Sequence, residues 1–96
     1  MNIISMFASH KRELLYIVSY VDQKMTVYSV EMKNLASKKK LFTFDCQEKP
    51  HGFQINSSET FFGFLLTEDN LSKLQLVNLN SFSHRRLNNF FFEKKF

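Results

Sequence analysis

The feature that most constrains this sequence is an alternation of short apolar runs with polar turn segments. Leu14–Val21 is almost wholly apolar, and residues 25–30 form a second β-like run after the polar residues 22–24. Runs of this length and composition are typical of β-strands, and a short polar segment between two of them indicates a hairpin. Because the first run has so few polar residues, we expect a strand buried on both faces of its sheet. The sequence therefore predicts an all-β fold.

The second half of the chain repeats the order of segments found in the first half. Further short strands are predicted at 52–55, 61–66 and 74–79, with a turn at 56–60 and a polar loop at 67–73. A repeated set of four strands is typical of repeat architectures. Three extra residues in the second hairpin loop would explain why the spacing between matched positions changes along the chain. The matches are Phe7 with Phe53, Glu13 with Glu59 and Val18 with Phe64 at 46 residues, and 27–30 with 76–79 at 49 residues.

We therefore predict two four-stranded antiparallel sheets within a single unit that spans residues 1–96. The bounds are about 3–44 for the first sheet and 52–92 for the second, with 93–96 as a loose tail. Residues 33–40 are predicted as a polar stretch before a short strand at 41–44, with a helix as the alternative for 33–40.

The segment 49–62 (KPHGFQINSSETFF) contains a Pro, a nearby Gly, an alternating strand, a turn and an apolar strand in that order. It resembles the repeat unit of β-propeller proteins of the YVTN and lactonase types, and residues 15–20 with 27–30 resemble the hairpin of the YVTN family. WD-repeat proteins have a similar strand order, but Tyr28-Ser29 and Val77-Asn78 stand at the positions of their Trp-Asp signature. The resemblance implies two propeller-type blades, and so an incomplete propeller.

Two positions depart from the pattern of these families. Residues 57–59 lack the Pro and Gly that are usual at this turn, and His51 stands where lactonase-type proteins tend to have Arg. The resemblance therefore implies the propeller fold more directly than it implies lactone hydrolysis.

Two blades are too few to close a ring, since propellers arrange roughly four to eight blades around a channel. Each blade would pack one face on its neighbour and leave the other face bare. Such a face predicts association, whether by self-assembly, by packing on another propeller-like chain, or because the chain is a piece of a longer protein. Ten apolar side chains are expected to stay exposed: Leu15, Ile17, Val27, Phe42, Phe44, Phe53, Ile55, Phe62, Phe64 and Leu76.

The net charge of +4 is uneven along the chain. Residues 1–80 hold nine Lys or Arg against eight Asp or Glu, whereas residues 81–96 hold four against one. Basic residues beside aromatic ones bind single-stranded nucleic acid, so the tail and the lysines at 38–40 are candidate contacts. The simpler interpretation is a solvated turn and a loose tail, because the body of the chain is nearly neutral. The candidate tail residues are Arg85, Arg86, Lys94 and Lys95, beside Phe90, Phe91 and Phe92.

Patterns for catalysis are weak. Cys46 and His51 form a nucleophile–base pair close in sequence, and Asp45 or Glu48 is available to orient the base. The simpler interpretation is a loop cysteine and a solvent-facing histidine, so no residue is predicted to be catalytic.

Patterns for metal, phosphate or paired-acid sites are equally weak. The histidines lack metal-ligand spacing, and the glycines are too isolated for a phosphate loop. Two pairs of acids are repeat-equivalent, and we interpret them as turn residues. These residues are His10, His51 and His84; Gly52 and Gly63; Glu13 with Glu59; and Asp22 with Glu68. We therefore predict neither a metal nor a cofactor.

The sequence thus predicts a non-enzymatic β-propeller-type structural or protein-interaction module, which binds a protein partner or itself through exposed blade faces. The resemblance implies a first alternative, a fragment of a lactonase-type hydrolase similar to 6-phosphogluconolactonase. The second alternative is a weak nucleic-acid binder that uses the basic tail. A single cysteine excludes an intrachain disulfide, and no signal peptide or membrane-length apolar run is present, so we predict a cytoplasmic location.

Overall fold

The computed structural model describes residues 2–68 and 70–92, and for residues 68 and 84–92 it describes the backbone alone. In this part of the chain all the regular elements are β-strands, so the all-β prediction is confirmed. The strands are β1 (Ile3–Ser9), β2 (Leu14–Val21), β3 (Lys24–Glu31), β4 (Asn34–Asp45), β5 (His51–Ile55), β6 (Phe61–Glu68), β7 (Leu71–Asn78) and β8 (His84–Phe92).

The strands form two antiparallel sheets, with the orders β1-β2-β3-β4 and β5-β6-β7-β8. Each strand therefore pairs with the strand next to it in sequence. The chain divides into two compact units between Gln47 and Glu48, inside the predicted link between the sheets. At the end of the first unit the Tyr20 hydroxyl donates hydrogen bonds to the carbonyls of Cys46 and Gln47, at 2.9 and 3.1 Å.

The hairpin between β2 and β3 has continuous pairing from Leu14 opposite Glu31 to Val21 opposite Lys24. Its turn has two residues, Asp22 and Gln23, with φ of 53° and 61°. Left-handed φ at both positions defines a type I′ turn, whose twist matches that of the flanking strands. The turn is thus one residue shorter than the polar tripeptide suggested, because Lys24 belongs to β3.

Each sheet has one face that carries a buried core. In the first sheet the buried side chains are Tyr16, Val18, Met25 and Val27, and in the second they are Phe62, Phe64, Leu66 and Val77. The cores contain matching aromatic pairs: Phe7 stacks on Tyr16 with centroids 5.3 Å apart, and Phe53 stacks on Phe62 at 5.8 Å. Successive strand residues alternate between faces, so the residues between these core positions form the second face of each sheet.

In the first two strands of each sheet, equivalent residues are 46 positions apart in the sequence, as predicted. The stacked pairs Phe7–Tyr16 and Phe53–Phe62 are related by that spacing. Glu13 and Glu59 are also 46 residues apart, and both have left-handed φ, at 53° and 57°.

The predicted spacing of 49 residues for the third strands is wrong. Val27 lies opposite Val18, and Gln75 lies opposite Phe64, so Val27 corresponds to Gln75 at 48 residues. The polar loop predicted at 67–73 is also wrong, because β6 and β7 continue through most of it and pair as far as Glu68 opposite Leu71. The second hairpin is longer by one residue pair, which accounts for two extra residues instead of three.

The set of ten apolar side chains predicted to be exposed needs correction. Val27, Phe62 and Phe64 are buried, with 1 %, 0 % and 0 % exposure, and the other seven are half-buried. The set mixes residues from both faces of each sheet, since Val27 lies on the core face and Ile17 on the opposite one. Which residues lie on the second face of each sheet therefore depends on strand register, and hydrophobicity alone does not identify them.

The segment 33–40 is a strand for most of its length, and neither a helix nor a turn. Asn34 begins β4, which runs on through the three lysines to Asp45. The strand lies at an edge of the first sheet, and exposed lysines on an edge strand oppose pairing with other chains. Among the described residues, no helix of sufficient length and apolar character to cross a membrane was found.

Candidate functional site

The second face of the second sheet contains an open groove. Gly63 lies at its centre on β6, between Gln54 on β5 and Leu76 on β7. The walls are the apolar side chains of Phe61, Leu65, Leu74 and Leu76, and the volume is about 400 Å³. Phe61 is 39 % exposed. The groove is therefore apolar and accessible from one side.

The groove exists because two glycines leave its floor without side chains. A Cβ added at Gly63 would lie 3.3 Å from Leu76 Cδ2, and one added at Gly52 would lie 3.1 Å from Leu65 Cδ1. Gly52 also has a φ of 64°, which a residue with a side chain adopts at a steric cost. Glycine within a strand often marks a site where a ligand or another backbone approaches closely.

A polar turn closes one end of the groove, where Asn56 is a lining residue. The Asn56 Oδ1 accepts hydrogen bonds from the backbone N–H groups of Thr60 and Phe61, both at 2.8 Å. Its Nδ2 donates to Ser58 Oγ at 2.9 Å and Thr60 Oγ1 at 2.8 Å. The side chain thus replaces the Pro and Gly that the turn lacks, and it fixes the start of β6.

The sequence predicts two of the groove residues, Ile55 and Leu76, within the set of exposed apolar side chains, but it does not predict the groove. Gly52 is predicted as part of the propeller-like segment 49–62, and both Gly52 and Gly63 are too isolated for a phosphate loop. The signal that could have found the groove is a lone glycine inside an apolar strand, at residues 61–66.

The second face of the first sheet is different in character. A row of paired residues crosses it, from Met6 through Ile17 and Tyr28 to Lys40. The Lys38 ammonium lies 5.0 Å from the centre of the Tyr28 ring, within cation–π distance. On the same face the hydroxyls of Thr26 and Thr43 are 3.4 Å apart. This surface therefore combines apolar side chains, of which Met6 is 55 % exposed, with basic, hydroxyl and aromatic groups, whereas the walls of the groove on the second sheet are apolar.

The candidate nucleic-acid residues of the tail fall partly in a strand. Arg85 and Arg86 belong to β8, where their backbones lie opposite Leu76 and Gln75, so they are not part of a loose tail. Lys94 and Lys95 lie outside the described residues. The grouping of these four residues therefore stays a prediction.

Cys46 and His51 belong to different units of the chain. The Cys46 thiol lies 3.9 Å from the carbonyl of Phe44, and the His51 side chain is exposed on β5. Burial raises the pKa of the Cys46 thiol. A hydrogen bond from the Met25 backbone lowers this pKa in part, and the neighbouring Asp45 carboxylate raises it. A raised pKa disfavours the thiolate that nucleophilic catalysis requires.

Three of the four repeat-equivalent acids occupy turn positions, whereas Glu68 is the last residue of β6, so the prediction of a turn residue is wrong for Glu68. Glu13 and Glu59 precede β2 and β6, and Glu13 forms an exposed ion pair with Lys33 at 3.4 Å. Asp22 lies in the first hairpin turn. Among the side chains that the structure describes, those of His, Cys, Asp and Glu form no group of three that could hold a metal ion.

Comparisons of the chain with protein-family models, with curated protein sequences and with solved structures gave no match.

Proposed function

We propose that the protein is a non-enzymatic β-propeller-type module, with a structural role that it performs by packing against further four-stranded sheets. Two consecutive sheets with the same strand order and equivalent aromatic stacks support this proposal. Propellers are built by radial repetition of four-stranded sheets, which leaves only short and protected edges.

The edges of the sheets support the same arrangement. The first strand of each sheet, β1 or β5, contains no Lys, Arg, Asp or Glu. The fourth strand contains three lysines in β4 and two arginines in β8. Lysine on an edge strand protects it from pairing with other chains, and an uncharged edge needs shelter. This asymmetry fits sheets that turn one edge inward and the other toward solvent.

The observation that carries the proposal is the glycine-floored groove on the second sheet. Its walls are Phe61, Leu65, Leu74 and Leu76, and none of its lining residues carries a charge. An apolar surface of this kind gains free energy when it is covered, at roughly 25 cal/mol per Å² of apolar area buried. We assign as its occupant a sheet of a second copy of this chain, because uncharged residues line the groove and a second copy offers an apolar sheet face that can cover it.

The test is the mass of the protein in solution, measured by sedimentation velocity and by light scattering after size exclusion. We expect the wild-type chain to form a dimer or a larger assembly. Phe61→Lys places a charge on the groove wall at a position that is already 39 % exposed, so it is expected to yield a folded monomer. Leu35→Lys is the matched control, because Leu35 is 75 % exposed on β4 and lies outside the groove.

A wild-type chain that stays monomeric at high concentration would contradict the proposal. An assembly that survives Phe61→Lys but is lost in Leu35→Lys would move the interface to the first sheet. Circular dichroism of each variant distinguishes a lost interface from a lost fold. The lactonase and tail-binding alternatives gain no support from the described residues.

A further inference from the structure

The Tyr28 surface of the first sheet is built by a β-bulge. Here the Tyr28 surface means Tyr28, Lys38 and Lys40 with the neighbouring hydroxyls of Thr26 and Thr43. Val27 pairs with Phe42, but the next residue, Tyr28, pairs with Lys40, so Leu41 is an additional residue on β4. An additional residue exchanges the faces of all the positions beyond it. The bulge therefore places Lys40 beside Tyr28 instead of on the core face with Val27.

The ring and the cations on this surface are accessible. Tyr28 is half-buried, and Lys38, Lys39 and Lys40 are exposed. Lys38 sits over the ring of Tyr28 at 5.0 Å, in an interaction that is worth little at an exposed site. The ammonium can therefore leave the ring at low cost when another flat group takes its place.

Most of the net positive charge lies in the first unit, which contains the Tyr28 surface. Residues 2–47 hold seven Lys or Arg against four Asp or Glu, which is +3, and residues 48–96 hold six against five, which is +1. Two acids lie on the strands that form this surface: Glu31 on β3, whose backbone N–H donates to Ser37 Oγ at 2.8 Å, and Asp45 on β4, which lies opposite Lys24 at the other end of the pairing. The first unit thus carries most of the positive charge, and the lysines beside Tyr28 contribute much of it.

From this geometry we infer that the Tyr28 surface binds single-stranded nucleic acid. Lys38 and Lys40 contact phosphates, and the Tyr28 ring stacks on a base. Aromatic platforms beside basic residues bind single strands with little sequence preference, since every base has a flat face. An acidic peptide would use the lysines, but its carboxylates offer no aromatic face to stack on the ring, whereas every nucleotide does, so the aromatic position favours nucleic acid. The inference uses a different sheet from the assembly groove and does not depend on it.

The test is fluorescence anisotropy of the full chain with a labelled oligouridylate of about 12 nucleotides, a length within the usual range for one binding site. Tyr28→Thr keeps a strand-forming residue but removes the ring, and we expect it to weaken binding by roughly tenfold. Tyr28→Phe keeps the ring and is expected to bind as the wild type does. A loss in both variants would contradict stacking.

The lysines are tested through the salt dependence of binding. For single strands, the slope of log affinity against log salt is about −0.7 per phosphate neutralised, so Lys38→Gln with Lys40→Gln should make the slope shallower by about 1.4. The control is Lys33→Gln with Lys49→Gln, which removes the same charge away from the surface and is expected to leave the slope nearly unchanged. Equal changes in the two double variants, or equal affinity of the wild type for polyglutamate, would overturn the inference.

Discussion

Replacement of Phe62 or Phe61 by alanine tests the register on which the two faces of the second sheet depend. The two residues are adjacent on β6, but Phe62 is 0 % exposed and Phe61 is 39 % exposed. Phe62 also stacks on Phe53 at 5.8 Å and contacts Phe64 with ring centres 5.6 Å apart. Loss of a fully buried phenylalanine, with the cavity that it leaves, costs about 3–5 kcal/mol.

Phe61→Ala is expected to cost less for two reasons. Complete burial of such a side chain is worth about 1.5–3 kcal/mol, and Phe61 realises only part of this. Its removal also widens an open groove instead of creating a closed cavity. We expect a loss of about 1–2 kcal/mol at most, and less than half the loss for Phe62→Ala.

The assay is urea unfolding followed by circular dichroism, at a protein concentration low enough for the chain to be monomeric. With a urea dependence of about 1–3 kcal/mol per molar, Phe62→Ala should lower the midpoint by at least about 1 M. Equal losses in the two variants, or a larger loss for Phe61→Ala, would refute the register, because a slip of one residue exchanges the two faces.

Two further predictions concern the turn at Asn56 and the thiol of Cys46. Asn56→Ala removes the acceptor of two backbone N–H groups and should cost about 1–3 kcal/mol in urea unfolding, whereas Asn56→Asp keeps that acceptor and should cost less; equal losses would contradict the turn. Burial raises the pKa of Cys46, so alkylation of the folded chain should begin at higher pH than that of the unfolded chain. The stability contributed by the protonated thiol is present below the ordinary thiol pKa and is lost as pH rises through the folded value; a folded midpoint at or below the unfolded one would contradict this.

The strands were predictable wherever apolar residues formed a dense run. Leu14–Val21 is a strand with the predicted bounds, and the runs at 25–30 and 61–66 are each extended by one or two residues at their ends. Burial of these residues dominates the free energy of the sheet, and their spacing is visible in the sequence. The hydrophobic pattern therefore determines where strands lie.

Polar strand segments could not be predicted in the same way. Residues 34–40, 67–68 and 71–73 lie at an edge or at a hairpin end and are mostly polar, and their strand conformation comes from hydrogen bonding to a neighbouring strand. Such pairing depends on tertiary context and leaves little trace in local composition. The turns at 22–24 and 56–60 were predictable from their polar residues, but left-handed φ was not, since it occurs at Glu13, Gln23 and Phe82, where the sequence has no glycine.

Both surfaces depend on single residues that hydrophobicity does not reveal. Strand alternation places Gly63 on the face opposite to Phe62 and Phe64, but the residues that lie beside Gly63 in the groove follow only from the pairing of β6 with its neighbours. The Tyr28 surface requires the bulge at Leu41, without which Lys40 would fall on the core face. A bulge and a strand glycine are features of backbone pairing, so the sequence predicted the sheets but not the surfaces.

The two sheets have matching cores and divergent second faces. With the spacing of 46 residues for β2 and 48 for β3, Gly63 stands where the first sheet has Ile17, and Leu76 stands where it has Tyr28. Leu65 and Leu74 likewise replace a serine and a threonine, so the second sheet presents leucines where the first presents hydroxyl groups. Repeat proteins cover an apolar repeat face with the next repeat and end the array with a polar face. The leucines on the second face of the second sheet match such an apolar repeat face, whereas the second face of the first sheet combines Met6 and Ile17 with Tyr28 and Lys40 and matches neither kind.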